Sequence, residues 1–203
     1  MTVGKRSIFR QLLAWWIAGL FGLALFLSSI GIAQAYNLLG GRWPNKPGAH
    51  VCCAYFYIQL LTPMSSKGLT GWQDALSTWQ GSPANVIVSS TSSSVITAGE
   101  YNFGSNSNGC NGCDGITYLN PCNNCSYTSA SLYVNTYYTN RNQYTRAVMQ
   151  AVTAHEMGHL FGLAHSSSCV LMNPYTFGPS SRWQSCGINS PQTDDINGVN
   201  AQY

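Results

Sequence analysis

His155-Glu156-Met157-Gly158-His159-Leu160-Phe161-Gly162-Leu163-Ala164-His165 is the stretch on which the reading of this chain turns. It ends a segment, Arg146 to Leu163, in which Ala147, Val148, Ala151, Val152, Ala154, Met157 and Leu160 recur at helical spacing and form a broad apolar face. On such a helix, residues four apart are separated by about 400°, so His155 and His159 project from one face, one turn apart. That spacing chelates one zinc ion. Glu156 points in a different direction but stays close enough to reach a water on the metal, which suits a base rather than a ligand. Gly162 stands where a left-handed cap is expected and permits a sharp turn, after which His165 can swing back as a third ligand. Three neutral nitrogen ligands leave a fourth position open, the feature that separates a catalytic zinc from a structural one.

Two histidines at this spacing beside a glutamate also occur as a plain polar stripe on an amphipathic helix, and the short pattern alone has a real false-positive rate. Here His155, Glu156, His159, Gly162 and His165 are all in place, on a segment read independently as helix. The metal site is the stronger reading.

The charges point outward from the cytoplasm. The chain of 203 residues carries a formal charge of +3, but Lys5, Arg6 and Arg10 precede an almost wholly apolar run from Leu12 that closes on Ala33-Gln34-Ala35. A basic start, an apolar middle and a small-x-small ending make residues 1–35 a secretory signal, with Tyr36 first in the mature chain. The rival reading is an uncleaved anchor, because Leu12 to Ile32 is long enough to span a bilayer of about 30 Å. Either way residues 36–203 are exported, to an extracellular or periplasmic location, and a membrane is a partner only if the segment is retained.

Residues 36–203 carry six basic side chains (Arg42, Lys46, Lys67, Arg141, Arg146, Arg182) against six acidic ones, so their net charge is zero. Scattered as they are, they form no basic patch, which excludes a nucleic-acid partner. The length suits one domain with a real core and no second large one.

Eight cysteines in an exported chain imply disulfides before metal: Cys52, Cys53, Cys110, Cys113, Cys122, Cys125, Cys169 and Cys186. A zinc knuckle from Cys110-x-x-Cys113 and Cys122-x-x-Cys125 would need four reduced thiolates, and the spacer is shorter than the roughly 15–20 residues of a zinc ribbon. Nesting Cys110 with Cys125 and Cys113 with Cys122 across a tight hairpin is one plausible pairing. Cys169 with Cys186 would close a separate loop. Cys52 and Cys53, if on a strand, face opposite ways and would take different partners or stay free.

Residues 36–49, rich in glycine and proline, read as an extended arm. Strands are expected at Val51–Leu61, Asn85–Ser89, Val95–Phe103, Ile116–Leu119 and Ser131–Tyr138. Leu69, Trp72, Ala75, Leu76 and Trp79 predict a one-faced helix that Gly81-Ser82-Pro83 stops. A final short helix is expected from Ser190-Pro191, with Asp194 and Asp195 in its first turn. The fold class is α+β, a mixed twisted sheet with the histidine-bearing helix and a C-terminal helix.

His155 to His165 resembles the extended zinc signature of the metzincin peptidases, and Leu171-Met172-Asn173-Pro174 is similar to the Met-turn beneath their metal. Ser166 and Asp194-Asp195-Ile196-Asn197-Gly198-Val199 resemble the matrixin branch, and Arg42-Trp43-Pro44, the Trp72 helix and Val134-Asn135-Thr136 fall in matrixin order. The resemblance implies a zincin fold and a zinc-dependent endopeptidase acting on a protein or peptide. It makes His155, His159 and His165 the ligands, Glu156 the base and proton donor, and Met172 an apolar floor. It also lays a substrate strand antiparallel to Ile116, Thr117, Tyr118 and Leu119, in the manner of β-augmentation. Pro174 and Tyr175 then wall the pocket for the residue after the scissile bond, and Thr176 to Gly187 completes it. No residue there announces a preference.

There are departures. Residues 36–49 are too few for a cysteine-bearing inhibitory propeptide. Outside the signature the chain has only His50, so a second, structural zinc is not expected, and the Cys110 to Cys125 loop could staple that region instead. The sequence leaves calcium undecided, because Asp74, Glu100, Asp114, Asp194 and Asp195 are few for a cage of about six to eight oxygens. In the family the first acid of the Asp194-Asp195 pair can bind a freed N-terminal ammonium and the second supports the Met-turn; a structural role is expected for both here. A monomer is expected. The rival from another class is a disulfide-stapled binding or adhesion module with a vestigial zinc site, against which the intact Glu156 argues.

Overall fold

The Trp72 helix forms as α1, Ser66–Gln80, and it faces the sheet and the histidine-bearing helix along a stripe that the periodicity only partly anticipates. Gly68, Gly71, Trp72, Ala75 and Trp79 are buried, whereas Leu69, expected on that face, is exposed. The reason is close approach: a side chain at 71 would press on Cβ of Met149, so glycine rather than leucine lines the contact. Ser65 caps α1 by accepting from the Gly68 amide at 3.0 Å, and the Glu100 carboxylate in turn holds the Ser65 hydroxyl at 2.7 Å.

The structure, a computed structural model, describes residues 36–44, 53–107, 110–120, 126–167 and 169–203. The expected signal segment, residues 1–35, lies outside them, as do His50, Cys52, Cys122 and Cys125.

Strands β1 (Ala54–Leu60), β2 (Val86–Thr91), β3 (Ile96–Tyr101), β6 (Gly115–Leu119) and β7 (Ala130–Asn135) form one sheet in the order β2-β1-β3-β7-β6. The β1–β2, β1–β3 and β3–β7 pairs are parallel and β7–β6 is antiparallel, so the sheet is mixed. Strand β6 therefore ends the order, with Ile116, Thr117, Tyr118 and Leu119 on it as expected. A small hairpin of β4 (Asn106–Ser107) and β5 (Cys110–Asn111), not foreseen, precedes it.

Helices α2 (Thr136–Thr139), α3 (Arg146–Leu160) and α4 (Thr193–Gln202) complete the α+β fold. The strand expected to run on to Tyr138 stops at Asn135, because the Asn135 side chain accepts from the Tyr137 amide and turns the chain into α2. The long helix stops at Leu160, three residues early, and Gly162 takes the left-handed conformation at φ +91°. The last helix starts at Thr193 rather than Ser190, since Gln192 and Asp195 form a reciprocal capping box.

The core lies between the sheet and the α1–α3 pair. Phe161 sits edge-on to Phe56 at 4.8 Å and to Trp79 at 4.9 Å, and the Trp79 indole N–H donates to the Ala154 carbonyl at 2.9 Å. Trp79 thereby anchors the helical turn just before His155; truncating such a side chain costs about 3–5 kcal/mol. Of the expected arm, residues 36–44 are described; they bend at Gly40 (φ +84°) and clamp the turn after α3: Trp43 Nε1–H donates to Leu160 O at 2.7 Å, and the Leu39 amide donates to Gly162 O at 2.8 Å. Among the described residues no helix is long and apolar enough to cross a membrane.

Candidate active site

His155 and His159 stand in the last two turns of α3, and each spends its Nδ1 on a carbonyl. His155 Nδ1 lies 2.8 Å from Leu171 O, and His159 Nδ1 lies 2.8 Å from Leu163 O. A carbonyl only accepts, so both Nδ1 atoms carry the proton and both Nε2 atoms present lone pairs. His165 arrives after the Gly162 turn, its carbonyl held by the Asn37 side-chain amide at 2.8 Å. Its Nε2 stands 3.3 Å from that of His155 and 3.1 Å from that of His159.

One proton on His165 can serve only one of the two facing lone pairs. A cation satisfies all three at once. Tetrahedral zinc with Zn–N of about 2.0–2.1 Å requires nitrogen separations of about 3.3–3.4 Å, so the donor set fits that ion. Burial holds His155 well below the ordinary imidazole value and brings His159 down to about 4, with the Arg182 guanidinium adding to both. His165 is lowered by the same two causes. Neutral rings are the form that binds metal. Among the described residues no other cluster of three or more potential ligands occurs.

Glu156 is buried beside them. The Thr117 hydroxyl, reaching across from β6, lies 2.7 Å from Oε2 and 2.9 Å from the Glu156 carbonyl. Burial pushes this carboxyl up to about 8, while the Thr117 hydrogen bond and the Arg182 charge pull against it.

Beneath the histidines runs the Met-turn. Met172 is buried, and a Cβ at Gly158 would collide with its Sδ, so the helix rests directly on the thioether. Asp195 fastens the turn: its carboxylate accepts the Leu171 amide at 2.9 Å, the Met172 amide at 3.1 Å and the Gln192 amide at 2.8 Å. Leu171 thus receives Asp195 on its N–H and gives its carbonyl to His155. Asp194 leaves buried Oδ2 without a partner among the described residues, and it lines a small cavity with Tyr36.

A cavity of about 560 Å³ joins His155, Glu156, His159 and His165 to Ile116, Thr117, Pro174 and Tyr175. Tyr118 and Leu119, expected on the substrate edge, are not in its lining. Beyond Pro174 the wall is built by Tyr144, Thr176, Phe177, Asp114 and Arg182. Of these, Asp114 and Tyr144 were not foreseen as site residues, and Arg182 only as part of the segment Thr176 to Gly187. Arg182 carries the only charge between His165 and Asp194, a signal that was legible.

The Cys169–Cys186 disulfide is present and closes the loop that carries this wall. Cys53 and Cys113 are disulfide-bonded too, so Cys53 does not stay free. The nested pairing of Cys110, Cys113, Cys122 and Cys125 involves side chains outside those described.

No curated protein matches the chain. The family model described as matrixin, of the M10 peptidases, matches residues 101–203, which run from the end of β3 through the histidines, the Met-turn and α4. With half the chain matched, and with the mixed sheet and histidine triad in the arrangement described, the protein belongs to the matrixin family of zinc metallopeptidases.

Proposed function

We propose that the protein is an exported zinc endopeptidase in which Glu156 moves the proton. The observation that carries this reading is the convergence of three Nε2 lone pairs beside a buried carboxylate that Thr117 holds in place. His155, His159 and His165 would hold the ion, which when bound supplies Lewis acidity to the scissile carbonyl and acidifies the attacking water. Glu156 takes the proton from that water and delivers it to the departing amine, so one carboxylate serves both steps. Thr117 fixes the direction in which the carboxylate accepts. Met172 and Asp195 fix the histidines from below.

The substrate would add a strand antiparallel to β6, held by main-chain hydrogen bonds, with its side chain after the scissile bond entering the space behind Pro174 and Tyr175. A vestigial site would have no use for the base. Denatured protein offered to the purified chain should be cut; a chelator should stop the cutting and added zinc restore it. Hydrolysis indifferent to chelation would count against the reading.

Export with removal of residues 1–35 belongs to the same proposal. It would place a free ammonium on Tyr36, which shares a cavity with the unpartnered Asp194 oxygen. N-terminal sequencing of the exported product should begin at Tyr36; a start at Met1 or Thr2 would mean a retained anchor.

A further inference from the structure

The wall of the cavity beyond Pro174 contains a buried cation that the peptidase chemistry does not use. Arg182 is 1% exposed, and its guanidinium has few partners. One terminal nitrogen donates to the Asn173 carbonyl at 2.8 Å, and the other stands 3.6 Å from Asp114 Oδ1, too far for a good hydrogen bond. Nε has no partner among the described residues. Thr176 lines the same cavity, is 5% exposed, and its hydroxyl too has no partner among the described residues.

Two residues that line one cavity thus each keep a buried polar atom without a partner among the described residues, and such an atom costs stability, more when the group is charged. Asp114 does not cancel the cation cleanly, because it also accepts from the Tyr144 hydroxyl at 3.1 Å. Arg141 lines the cavity too and adds to the positive field. The rest of this wall is aromatic, with Tyr144 against Phe177 at 5.2 Å. Apolar sides and a guanidinium fork suit a side chain with a short aliphatic stem and a carboxylate end.

The position is rigid. The Arg182 amide donates to Tyr175 O at 2.8 Å, its carbonyl accepts from Ile188 at 2.7 Å, and the Cys169–Cys186 disulfide closes the loop around it. A fixed cation recognises an anion without an ordering cost at the moment of binding.

We infer that Arg182, assisted by Thr176, makes this enzyme select an acidic residue, glutamate or aspartate, immediately after the scissile bond. The inference rests on the proposed peptidase reading and goes beyond it by naming the substrate class.

The test is a set of otherwise identical peptides carrying Glu, Gln, Asp, Asn or Leu after the scissile bond, with kcat/KM measured for the zinc-loaded wild type. At least one acid should exceed both its isosteric amide and Leu by about tenfold or more. In Arg182→Met the acid-to-amide ratio should fall towards one, and in Thr176→Val it should fall less. A wild type that cuts Leu or the amides as well as the acids overturns the inference while leaving the peptidase reading intact, and needs no variant to do so. An unchanged ratio in a zinc-loaded Arg182→Met overturns it equally. A wild type that cuts no peptide under any of these conditions, and no denatured protein either, points instead to failure of the peptidase reading.

Discussion

The hydroxyl of Thr117, on the last strand of the sheet, lies 2.7 Å from the carboxylate of Glu156 on the facing helix, 39 residues away. Period-2 alternation sets this contact: Thr117 points at the helix while its neighbour Tyr118 is exposed and packs towards Tyr133 on the other face. A hydrogen bond to a charged group is worth about 1.5–3 kcal/mol. Thr117→Val, nearly the same in shape, should lower kcat about tenfold or more with zinc content unchanged, read by metal analysis beside steady-state kinetics. Unaltered kcat would mean that the contact only packs.

Asp195 joins the C-terminal helix to the floor of the metal site through three backbone amides. In Asp195→Ala the buried Leu171 and Met172 N–H groups and the half-buried one of Gln192 would lose their acceptor, at about 1–3 kcal/mol for each that stays buried and unpaired. Urea unfolding should show a loss of about 3 kcal/mol or more. Zinc affinity should fall with it, since Leu171 O orients His155. A loss within about 0.5 kcal/mol, the range of an ordinary surface change, would contradict that role.

How much of this was written in the chain differs from element to element. The helix through His159 and the turn at Gly162 were legible because both depend on near neighbours, an apolar repeat and a residue free to take φ +91°. Strand and helix ends were less so. Asn135 ends β7 through its own side chain, and Gln192 displaces Ser190 as the cap because Asp195 is already positioned by the Met-turn. The meeting of Arg182 with Asp114 was illegible in detail, since only the folded sheet brings the approach to β6 against a loop 68 residues further on. Of β6 the cavity lining takes in Gly115, Ile116 and Thr117, while Tyr118 and Leu119 lie further along the same strand at the end of the sheet order.

The metal-free protein should lose stability on acidification. Burial lowers the folded-state values of His155, His159 and His165, so below about pH 6.5 the unfolded chain binds protons that the folded chain refuses. Stability from these groups is full above about 6.5 and drains as pH falls towards the value of about 4 for His159. Glu156, raised to about 8, acts in the opposite sense between its ordinary carboxylate range and about 8, and Asp194 and Asp195, whose values burial also raises, join it at the acid end; the three imidazoles are set against them. Thermal melts of the chelated protein should therefore show Tm falling from pH 6.5 to 4.5, and a rising Tm over that range would contradict the burial of the histidines.

On the proposed reading zinc would bind the folded triad far more tightly than the unfolded chain, so saturation should raise stability by RT ln(1 + [Zn]/Kd), about 2.7 kcal/mol at a hundredfold excess over Kd. His165→Ala should remove most of that gain, which calorimetry with and without zinc would register. A zinc-dependent shift as large as that of wild type would mean that the ion is held elsewhere.

Glu156→Gln tests the central claim most directly. The amide keeps the shape and can still meet Thr117, but it cannot take a proton from water. Metal analysis and peptide hydrolysis on the same two preparations should give about one zinc per chain in both, with activity in the variant reduced by a factor of about 10² or more. Equal activity in the two proteins, or no bound zinc in either, would contradict the account.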